Sequence, residues 1–304
     1  MKNFYSNGKL LLTGEYVVLK GAKALAIPTK YGQSLSVESK QDSQFHWKSL
    51  KHDNSVWFDA ELTTELLAKS LNKTEETVAN RLFQILIAAK QLNPKFLSGQ
   101  NGFDVITKVD FPTNWGLGSS STLINNIANW AEIDAFDLLQ LTFGGSGYDI
   151  ACAKTNSPIT YQYYDLDRRI ETVDFNPSFS ENLYFVHLNK KRNSQEAIKS
   201  FNNLSSSNLK QTISDISSLT DKIIESQSLS VFQKLIESHE SLMSKLIQEV
   251  PVKKALFNDF NGSIKSLGAW GGDFILVASK DNPTPYFKSK GFETIIAYQD
   301  MVLN

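Results

Sequence analysis

The sequence predicts an α+β protein with two lobes. Its 304 residues exceed one small domain and suggest two lobes of about 150 residues each. Strand-like and helix-like segments are mixed in both halves, without the regular alternation that builds a doubly wound parallel sheet. The hydrophobic fraction of 41% and the charged fraction of 21% are typical of globular proteins, which excludes a disordered or collagen-like chain.

Charge and cysteine content narrow the range of partners. The formal net charge is −1, so no global positive field exists to hold a nucleic acid or an anionic membrane. No apolar run in the sequence approaches the ~18 residues of a membrane span. The single cysteine, Cys152, permits no internal disulfide. We therefore expect a cytoplasmic protein with no nucleic-acid or membrane partner.

The first half begins with strand-like segments and continues with helical ones. Lys9–Val18 mixes aliphatic and β-branched residues, as strands do. Leu62, Leu66 and Leu67 share one helical face, and a second helical stretch extends from Val78 to Ala89. Further strands are predicted at Ser34–Val37, Gln44–Trp47, Ser55–Phe58 and Phe103–Val109.

The second half repeats this mixture of elements. The polar segment Asp165–Glu181 is predicted to be a hinge, and the boundary drawn within it gives lobes of residues 1–172 and 173–304. Helical periodicity recurs within Ser194–Glu249, where His239 is expected to be a surface or packing residue. The other predicted elements are the strands Ile159–Tyr164, Leu183–Leu188, Gly272–Ser279 and Thr294–Tyr298, and a helix around Pro285–Lys290.

A glycine-serine segment, Pro112–Thr122, lies between a predicted strand and the helical stretch Ser119–Trp130. Gly116 and Gly118 allow a tight turn with no Cβ in the way of a ligand. The serines that follow are expected to cap the helix, whose first N–H groups point toward any anion placed there. These features indicate a phosphate site, although a plain capped loop has the same pattern.

A second glycine-rich segment, Gly144–Ala151, contains one acidic residue, Asp149. An aspartate held by such a loop can approach a substrate hydroxyl or a metal ion. An ordinary turn aspartate is an equally good interpretation on the sequence alone.

Two further segments carry glycines or an isolated charge. Ser266–Phe274 is a glycine-rich turn that enters an apolar strand, and a tight hairpin explains it. Gly8–Tyr16 places Lys9 next to an apolar run, where desolvation of the ammonium is expensive unless an anion compensates it. A solvated lysine at a strand edge is the alternative.

Taken in chain order, these segments resemble the motifs of the GHMP kinase superfamily. Gly8–Tyr16 is similar to the N-terminal Gly-Lys…Gly-Glu-Tyr/His motif, and Pro112–Ser120 to the Pro-x3-Gly-Leu-Gly-Ser-Ser phosphate loop. Gly147–Ala151 spells the Gly-Tyr-Asp-Ile-Ala sequence of one branch, and Ser266–Asp273 resembles the C-terminal glycine-rich motif. The resemblance covers nearly the whole chain.

The resemblance implies a ribosomal-protein-like N-terminal lobe, a ferredoxin-like C-terminal lobe, and ATP and Mg²⁺ as cofactors. It assigns catalysis to Asp149, which faces the acceptor hydroxyl, and to Lys9, which pairs with it. Ser120 matches the serine whose hydroxyl meets Mg²⁺. The implied ATP-binding residues are Pro112, Gly116, Leu117, Gly118, Ser119, Ser120 and Ser121, and the implied substrate-binding residues are Glu15, Tyr16, Gly147, Gly271 and Gly272.

The match has one gap. Mevalonate kinases carry a metal-binding glutamate at the position that corresponds to Leu138. Asp137 is adjacent and Asp134 lies one helical turn away, so either carboxylate is a candidate replacement. Without one, Ser120, the nucleotide and water would hold the ion.

The resemblance implies an acceptor from the mevalonate pathway, with mevalonate slightly ahead of 5-phosphomevalonate. Lys190, Lys191 and Arg192 could bind a phosphorylated acceptor, or form a solvated turn. Diphosphomevalonate decarboxylase, a lyase of the superfamily, carries its decisive aspartate in a C-terminal segment, and the Asp149 loop argues against it. A nucleotide-binding protein that has lost catalysis is the other alternative, and a homodimer is left open.

Overall fold

The structure is a computed structural model, and it describes residues 1–62, 77–99, 101–164, 167–190, 201 and 208–303. The chain forms two compact units, each made of several segments. The first unit comprises Met1–Gly8, Tyr31–Thr113 and Leu117–Lys154, and the second comprises Lys9–Lys30, Asn114–Gly116 and Thr155–Asn304. The predicted lobe boundary at residues 172 and 173 stays a prediction.

An antiparallel and parallel mixture of strands builds the sheet of the first unit. The strands are β1 (Lys2–Leu11), β2 (Ala24–Ser39), β3 (Phe45–Leu50), β4 (Val56–Leu62) and β5 (Phe103–Val109). Four of them follow the order β4-β3-β5-β2, in which β3 runs parallel to β5 and the other pairs are antiparallel. The predicted strand Lys9–Val18 is wrong beyond Leu11, because Gly14 adopts a left-handed φ of 83° that breaks the extended backbone.

The helices of the first unit pack their apolar residues into one core. They are α1 (Val78–Leu92), α2 (Ser119–Ala131), α3 (Ala135–Thr142) and α4 (Tyr148–Ala153). Trp130 of α2 contributes to this core, where its ring meets Phe96 edge-on at a centroid distance of 4.8 Å. The predicted Val78–Ala89 helix is confirmed. The earlier helical stretch is wrong at Leu62, which is the last residue of β4, and its Leu66 and Leu67 lie outside the described residues.

Two sets of strands belong to the second unit. One is a four-stranded antiparallel sheet in the order β11-β8-β10-β9, and in the other the start of β2 pairs with β6, which pairs with β7. The new strands are β6 (Ile159–Tyr164), β7 (Asp167–Thr172), β8 (Leu183–His187), β9 (Ser263–Ser266), β10 (Phe274–Ala278) and β11 (Ile295–Ala297). The predicted hinge is wrong over Asp167–Thr172, because this polar segment forms an antiparallel, largely exposed strand on β6.

The helices of the second unit confirm the predicted helical periodicity where they are described. They are α5 (Leu209–Ile224), α6 (Leu229–Ile247), α7 (Val252–Leu256), α8 (Thr284–Ser289) and α9 (Tyr298–Met301). The α+β class predicted from the sequence is confirmed. No helix in the described part of the chain has the length and apolar character that a membrane crossing requires.

Candidate active site

The glycine-serine loop enters helix α2 through a left-handed turn. Gly116 and Gly118 have φ angles of 68° and 89°, which favour glycine. Gly118 is the N-cap residue, and no side chain caps this helix start. The expectation that the serines cap the helix is wrong, because a glycine holds the cap position and the Ser121 hydroxyl donates back to the Gly118 carbonyl at 2.8 Å. Among the described residues, no side chain caps the first N–H groups of α2, and an anion site requires such groups.

A neutral hydrogen-bond network supports α2 inside the first unit. Asn126 of α2 is fully buried, and its Nδ2 donates to the Gln33 carbonyl of β2 at 2.8 Å. The Ser6 hydroxyl of β1 donates to Asn126 Oδ1 at 2.7 Å. The Thr122 hydroxyl lies 2.6 Å from Gln33 Oε1. These contacts fix the first turns of α2 against two strands. We call Ser6, Gln33, Thr122 and Asn126 the neutral network.

The Asn114–Gly116 part of the loop rests on strands of the second unit. The Trp115 ring meets Phe274 of β10 edge-on at 5.4 Å. His187 Nδ1 accepts the Asn189 N–H, so its Nε2 carries the proton that is donated to the Asn114 carbonyl at 3.1 Å.

Gly116 has a second reason to be glycine, besides its backbone angle. A Cβ at this position would overlap the carboxylate of Asp273. Any larger residue at position 116 would therefore force the side chain of Asp273, the last residue of the C-terminal glycine-rich turn, to move.

Lys9 reaches the same loop from the N-terminal motif. It lies on β1, is partly buried, and its Nζ donates to the Gly116 carbonyl at 3.2 Å. The structure thus brings together two of the predicted motifs, Gly8–Tyr16 and Pro112–Thr122. A positive charge on the carbonyl side of the glycine loop is suited to a bound phosphate chain.

Asp149 lies in the first turn of the short helix α4. Gly147, with φ of 90°, is the N-cap residue, and the small residues that follow Asp149 are buried. A carboxylate is favourable at a helix start because the helix dipole is positive there. Asp149 belongs to the first unit and Lys9 to the second. Their predicted pairing stays a prediction.

The carboxylates that are candidates to hold a metal ion differ in their contacts and in their exposure. Leu138 is completely buried in the core of the first unit. Asp134 caps α3, where its Oδ1 accepts from the Phe136 N–H at 2.6 Å, and its Oδ2 lies 3.6 Å from Lys154 Nζ. Asp137 is exposed on α3. The described residues contain no group of three or more His, Cys, Asp or Glu side chains arranged to hold a metal. A magnesium ion here fits Ser120, exposed on α2, together with phosphate oxygens and water.

Glu15 and Tyr16 are buried rather than exposed. Glu15 is 1% exposed and forms an ion pair with Lys265. Tyr16 has a positive φ of 60°, and its ring packs on Phe201 at 5.4 Å. Gly271, with φ of 71°, and Gly272 lie in the turn that precedes β10. Substrate contacts by Glu15, Tyr16, Gly147, Gly271 and Gly272 stay predictions.

Comparison with known proteins rests on structure. No family model matches the sequence, and no curated protein matches it either. The chain is similar to a mevalonate kinase from Methanococcus jannaschii, with a TM-score of 0.72 and 16% identity over 97% of this chain and 96% of that one. It is also similar to the phosphomevalonate kinase of Streptococcus pneumoniae in complex with phosphomevalonate and AMPPNP, with a TM-score of 0.69 and 17% identity over 100% and 98% of the two chains. The chain has the GHMP kinase fold. The galactokinase of Lactococcus lactis, complexed with galactose, shares this fold with a TM-score of 0.63 and 14% identity over 95% and 88% of the chains.

The basic run after β8 consists of Lys190, Lys191 and Arg192, and only Lys190 is among the described residues. Lys190 is exposed, and its carbonyl accepts from the Asp273 N–H at 2.7 Å. The backbone of Lys190 is thereby tied to the C-terminal turn. Lys191 and Arg192 lie outside the described residues.

Sequence reasoning missed three residues behind the GHMP motifs. Lys265 and His239 are completely buried, and Glu240 is 4% exposed. His239 is a packing residue and not a surface one, because it is completely buried, and its Nε2 accepts from the Gly14 N–H at 3.1 Å. No local signal in the sequence marks Lys265 as buried, because its strand reads Ser-Ile-Lys-Ser and is not an apolar run.

Proposed function

We propose that this chain is an ATP- and Mg²⁺-dependent kinase that transfers the γ-phosphoryl group of ATP to a hydroxyl of a small acceptor. The observation that carries the proposal is the start of α2. It has no side-chain cap, it is entered through Gly116 and Gly118, and the Lys9 ammonium lies on the same loop. Backbone donors and one cation in this arrangement suit the polyphosphate of a nucleotide.

The residues of this chain then divide the work of phosphoryl transfer. The N–H groups of Gly116–Ser120 bind the phosphates, with Pro112, Ser119 and Ser121 shaping the loop. Lys9 neutralises charge that develops on the transferred group, and Asp149 orients the acceptor hydroxyl and accepts its proton late in the reaction. The Ser120 hydroxyl would hold Mg²⁺, which would supply further charge neutralisation at the phosphates when bound. Positioning and charge stabilisation suffice for a loose transition state.

Mevalonate is the proposed acceptor, slightly ahead of 5-phosphomevalonate. The Asp149 loop is the substrate-side motif that matches best, and the similarity to the Methanococcus jannaschii mevalonate kinase extends over nearly the whole of both chains. Phosphomevalonate is supported by the exposed Lys190 beside the C-terminal turn. A catalytically impaired nucleotide-binding protein is the remaining alternative, and the buried Leu138 supports it.

Cellular context is part of the same proposal. The reaction is assigned to the cytoplasm, where ATP is available, and Cys152, the single cysteine of the sequence, allows no internal disulfide, as is typical of a reducing compartment. A homodimer stays a prediction.

The test is ADP release with four acceptors: mevalonate, 5-phosphomevalonate, homoserine and galactose. We expect mevalonate to give the highest kcat/KM. Turnover of only homoserine or galactose would contradict the acceptor and leave the kinase proposal standing. A rise in melting temperature with MgATP, but no turnover of any acceptor, would favour the impaired protein. No thermal shift at all would contradict the nucleotide site.

A further inference from the structure

A group of charged side chains is buried in the second unit behind the motifs. Lys265 and His239 are completely buried, Glu15 is 1% exposed and Glu240 is 4% exposed. We call these four residues the Lys265 cluster. Charged groups at such depth are expensive unless they are paired and hydrogen-bonded, so their contacts decide what they do.

The contacts of the Lys265 cluster join three separate segments of the chain. Lys265 Nζ pairs with Glu15 Oε1 and also donates to the Ser266 carbonyl at 2.9 Å. Glu240 of α6 accepts from the Ser266 N–H at 3.1 Å and from its hydroxyl at 2.6 Å. His239, also on α6, accepts from the Gly14 N–H. Helix α6 therefore holds both the Gly14-Glu15 turn and the end of β9.

The electrostatics of the cluster fix the protonation of its histidine. Burial, followed by the charge of Lys265, holds the pKa of His239 well below its ordinary value, so the ring is neutral. Its Nε2 is the acceptor for Gly14, which places the ring proton on Nδ1. Lys265 is then the cation of the cluster, and it is paired with Glu15. Burial raises the pKa of both carboxyls, and Lys265 opposes that rise.

Both ends of the cluster continue into the candidate active site. Glu15 follows Lys9 by one short stretch of chain, and Lys9 donates to Gly116. Lys265 and Ser266 precede the glycine-rich turn, whose last residue, Asp273, lies against Gly116. Two of the residues in this turn, Trp270 and Asp273, have left-handed φ angles of 48° and 52°. Such strain persists only where the surroundings impose it, and the bonds to Ser266 anchor one end of the turn.

We propose that the Lys265 cluster is a positioning unit for phosphoryl transfer. It sets Lys9 and the glycine-rich turn against Gly116, and Glu15 acts through Lys265 instead of contacting the acceptor. This inference rests on the proposed function and deepens it, because it assigns a role to four buried residues that touch neither nucleotide nor acceptor.

The experiment compares the single variants Lys265→Met and Glu15→Gln with the double variant. Each single change leaves a buried group without its partner, so we expect both to lower the melting temperature strongly. The double variant removes both charges, and we expect it to recover most of the melting temperature. Its kcat should stay on the order of ten- to a hundredfold below that of the wild type, because Lys9 and the turn lose their alignment.

A matched control uses the exposed ion pair of Lys290 and Asp259, whose charged atoms are 3.0 Å apart. The double variant Lys290→Met/Asp259→Asn should keep the wild-type kcat.

The KM for the acceptor distinguishes a positioning role of Glu15 from direct contact with the substrate. Under the proposal, the folded Lys265→Met/Glu15→Gln variant keeps this KM within about threefold. A large rise in acceptor KM with unchanged kcat would identify Glu15 as a substrate contact and overturn the proposal.

If the cluster has a structural role alone, the double variant would recover kcat together with its melting temperature. This result would also overturn the proposal.

A readout independent of activity completes the design. Acetic anhydride labelling followed by mass spectrometry should show faster acetylation of Lys9 in the double variant than in the wild type, with the exposed Lys288 unchanged. Unchanged Lys9 labelling would contradict the proposal even if the wild type phosphorylates none of the acceptors. Failure of the proposed function appears separately, as an inactive wild type.

Discussion

The motifs of the two units differ in where their polar groups lie. In the first unit, the glycine-serine loop and the Asp149 loop both lie at helix starts, where Gly118 and Gly147 are N-cap residues and Ser120 is exposed. In the second unit, Glu15 and Lys265 are buried in an ion pair that never reaches solvent. The exposed Ser120 and the half-buried Asp149 at helix starts are suited to bind and react, whereas buried charge pairs are suited to hold the chain in place.

A second contrast concerns the buried support of each unit. The neutral network beneath α2 consists of hydroxyl and amide groups, which carry no charge at any physiological pH. The Lys265 cluster contains titratable groups with shifted pKa values. Support in the second unit should therefore depend on pH, and support in the first unit should not.

The largest expected effect is that of Asp149→Asn, which tests whether the polar groups at the helix starts take part in the reaction. We expect turnover to fall on the order of 10²–10⁴, the range for removing a positioned proton acceptor. MgATP affinity should stay within a few-fold and the melting temperature nearly constant, because Asp149 is assigned to the acceptor. Steady-state kinetics and calorimetric titration measure both. A near-normal rate would mean that this loop is structural.

Lys9→Ala is measured in the same way, alone and in combination with Asp149→Asn. If Lys9 and Asp149 act as one unit, the double variant should be little worse than the poorer single variant. Fully additive losses would show that the two residues act apart, and would remove the predicted pairing.

Glu240→Gln gives the next largest effect and tests the pH dependence of the second unit. Burial raises the pKa of Glu240 to about 7, against the opposing charge of Lys265 and the bonds from Ser266, with Glu15 adding to the rise. A carboxyl with a raised folded-state pKa stabilises the fold fully below its unfolded pKa, here 4.5, and this contribution is lost as pH rises through about 7.

The wild type should therefore lose about 3 kcal/mol of unfolding free energy relative to Glu240→Gln between pH 4.5 and about 8. The lowered pKa of His239 has the opposite sign, since its neutral form loses stability as pH falls, but it is common to both proteins and cancels in the comparison. Urea unfolding across this pH range measures the difference. A constant difference would contradict the account of the cluster.

Asn126→Ala tests the first unit in the same way, with a smaller effect. Loss of the bonds to Gln33 and Ser6 should lower the free energy of unfolding by about 2 kcal/mol. The loss should be equal at pH 5 and pH 8, because no charge is involved. Asn129→Ala, an exposed change on the same helix, is the control and should be close to neutral. If the loss of unfolding free energy in Asn126→Ala depended on pH, the proposed difference between the two units would be wrong.

The smallest expected effect is that of Ser120→Ala. Removal of this hydroxyl should weaken binding of MgATP several-fold, and that of metal-free ATP less, because Ser120 is proposed to meet the ion. Fluorescence or calorimetric titration with and without Mg²⁺ makes the comparison. Equal losses for both forms would remove Ser120 as a metal ligand.

Much of the fold could be predicted from local patterns in the sequence. Periodicity located α1, α5 and α6 because each buries one face, and alternation located β5. The strand β7 was missed, because an exposed edge strand such as Asp167–Thr172 has the polar composition of a linker. The end of β1 was missed because the φ angle of Gly14 depends on contacts with distant residues.

The candidate site was predictable where a motif is contiguous, and not where its support comes from elsewhere in the chain. Gly116, Gly118 and Lys9 could be recognised within short segments. The Lys265 cluster could not, because Glu15 and Lys265 are separated by 250 positions and only folding brings them together. The cap of α2 was mispredicted, since serines next to Gly118 look like caps until the backbone places the glycine at the N-cap position.

The most direct test of the central claim follows the phosphorus atoms themselves. Wild-type protein, MgATP and mevalonate are mixed and observed by ³¹P NMR, with a parallel sample that lacks mevalonate. We expect a new phosphomonoester resonance to grow in step with ADP, only in the sample with acceptor. Appearance of inorganic phosphate alone, or unchanged ATP with mevalonate and with each of the other three acceptors, would contradict the assignment of this chain as a small-molecule kinase.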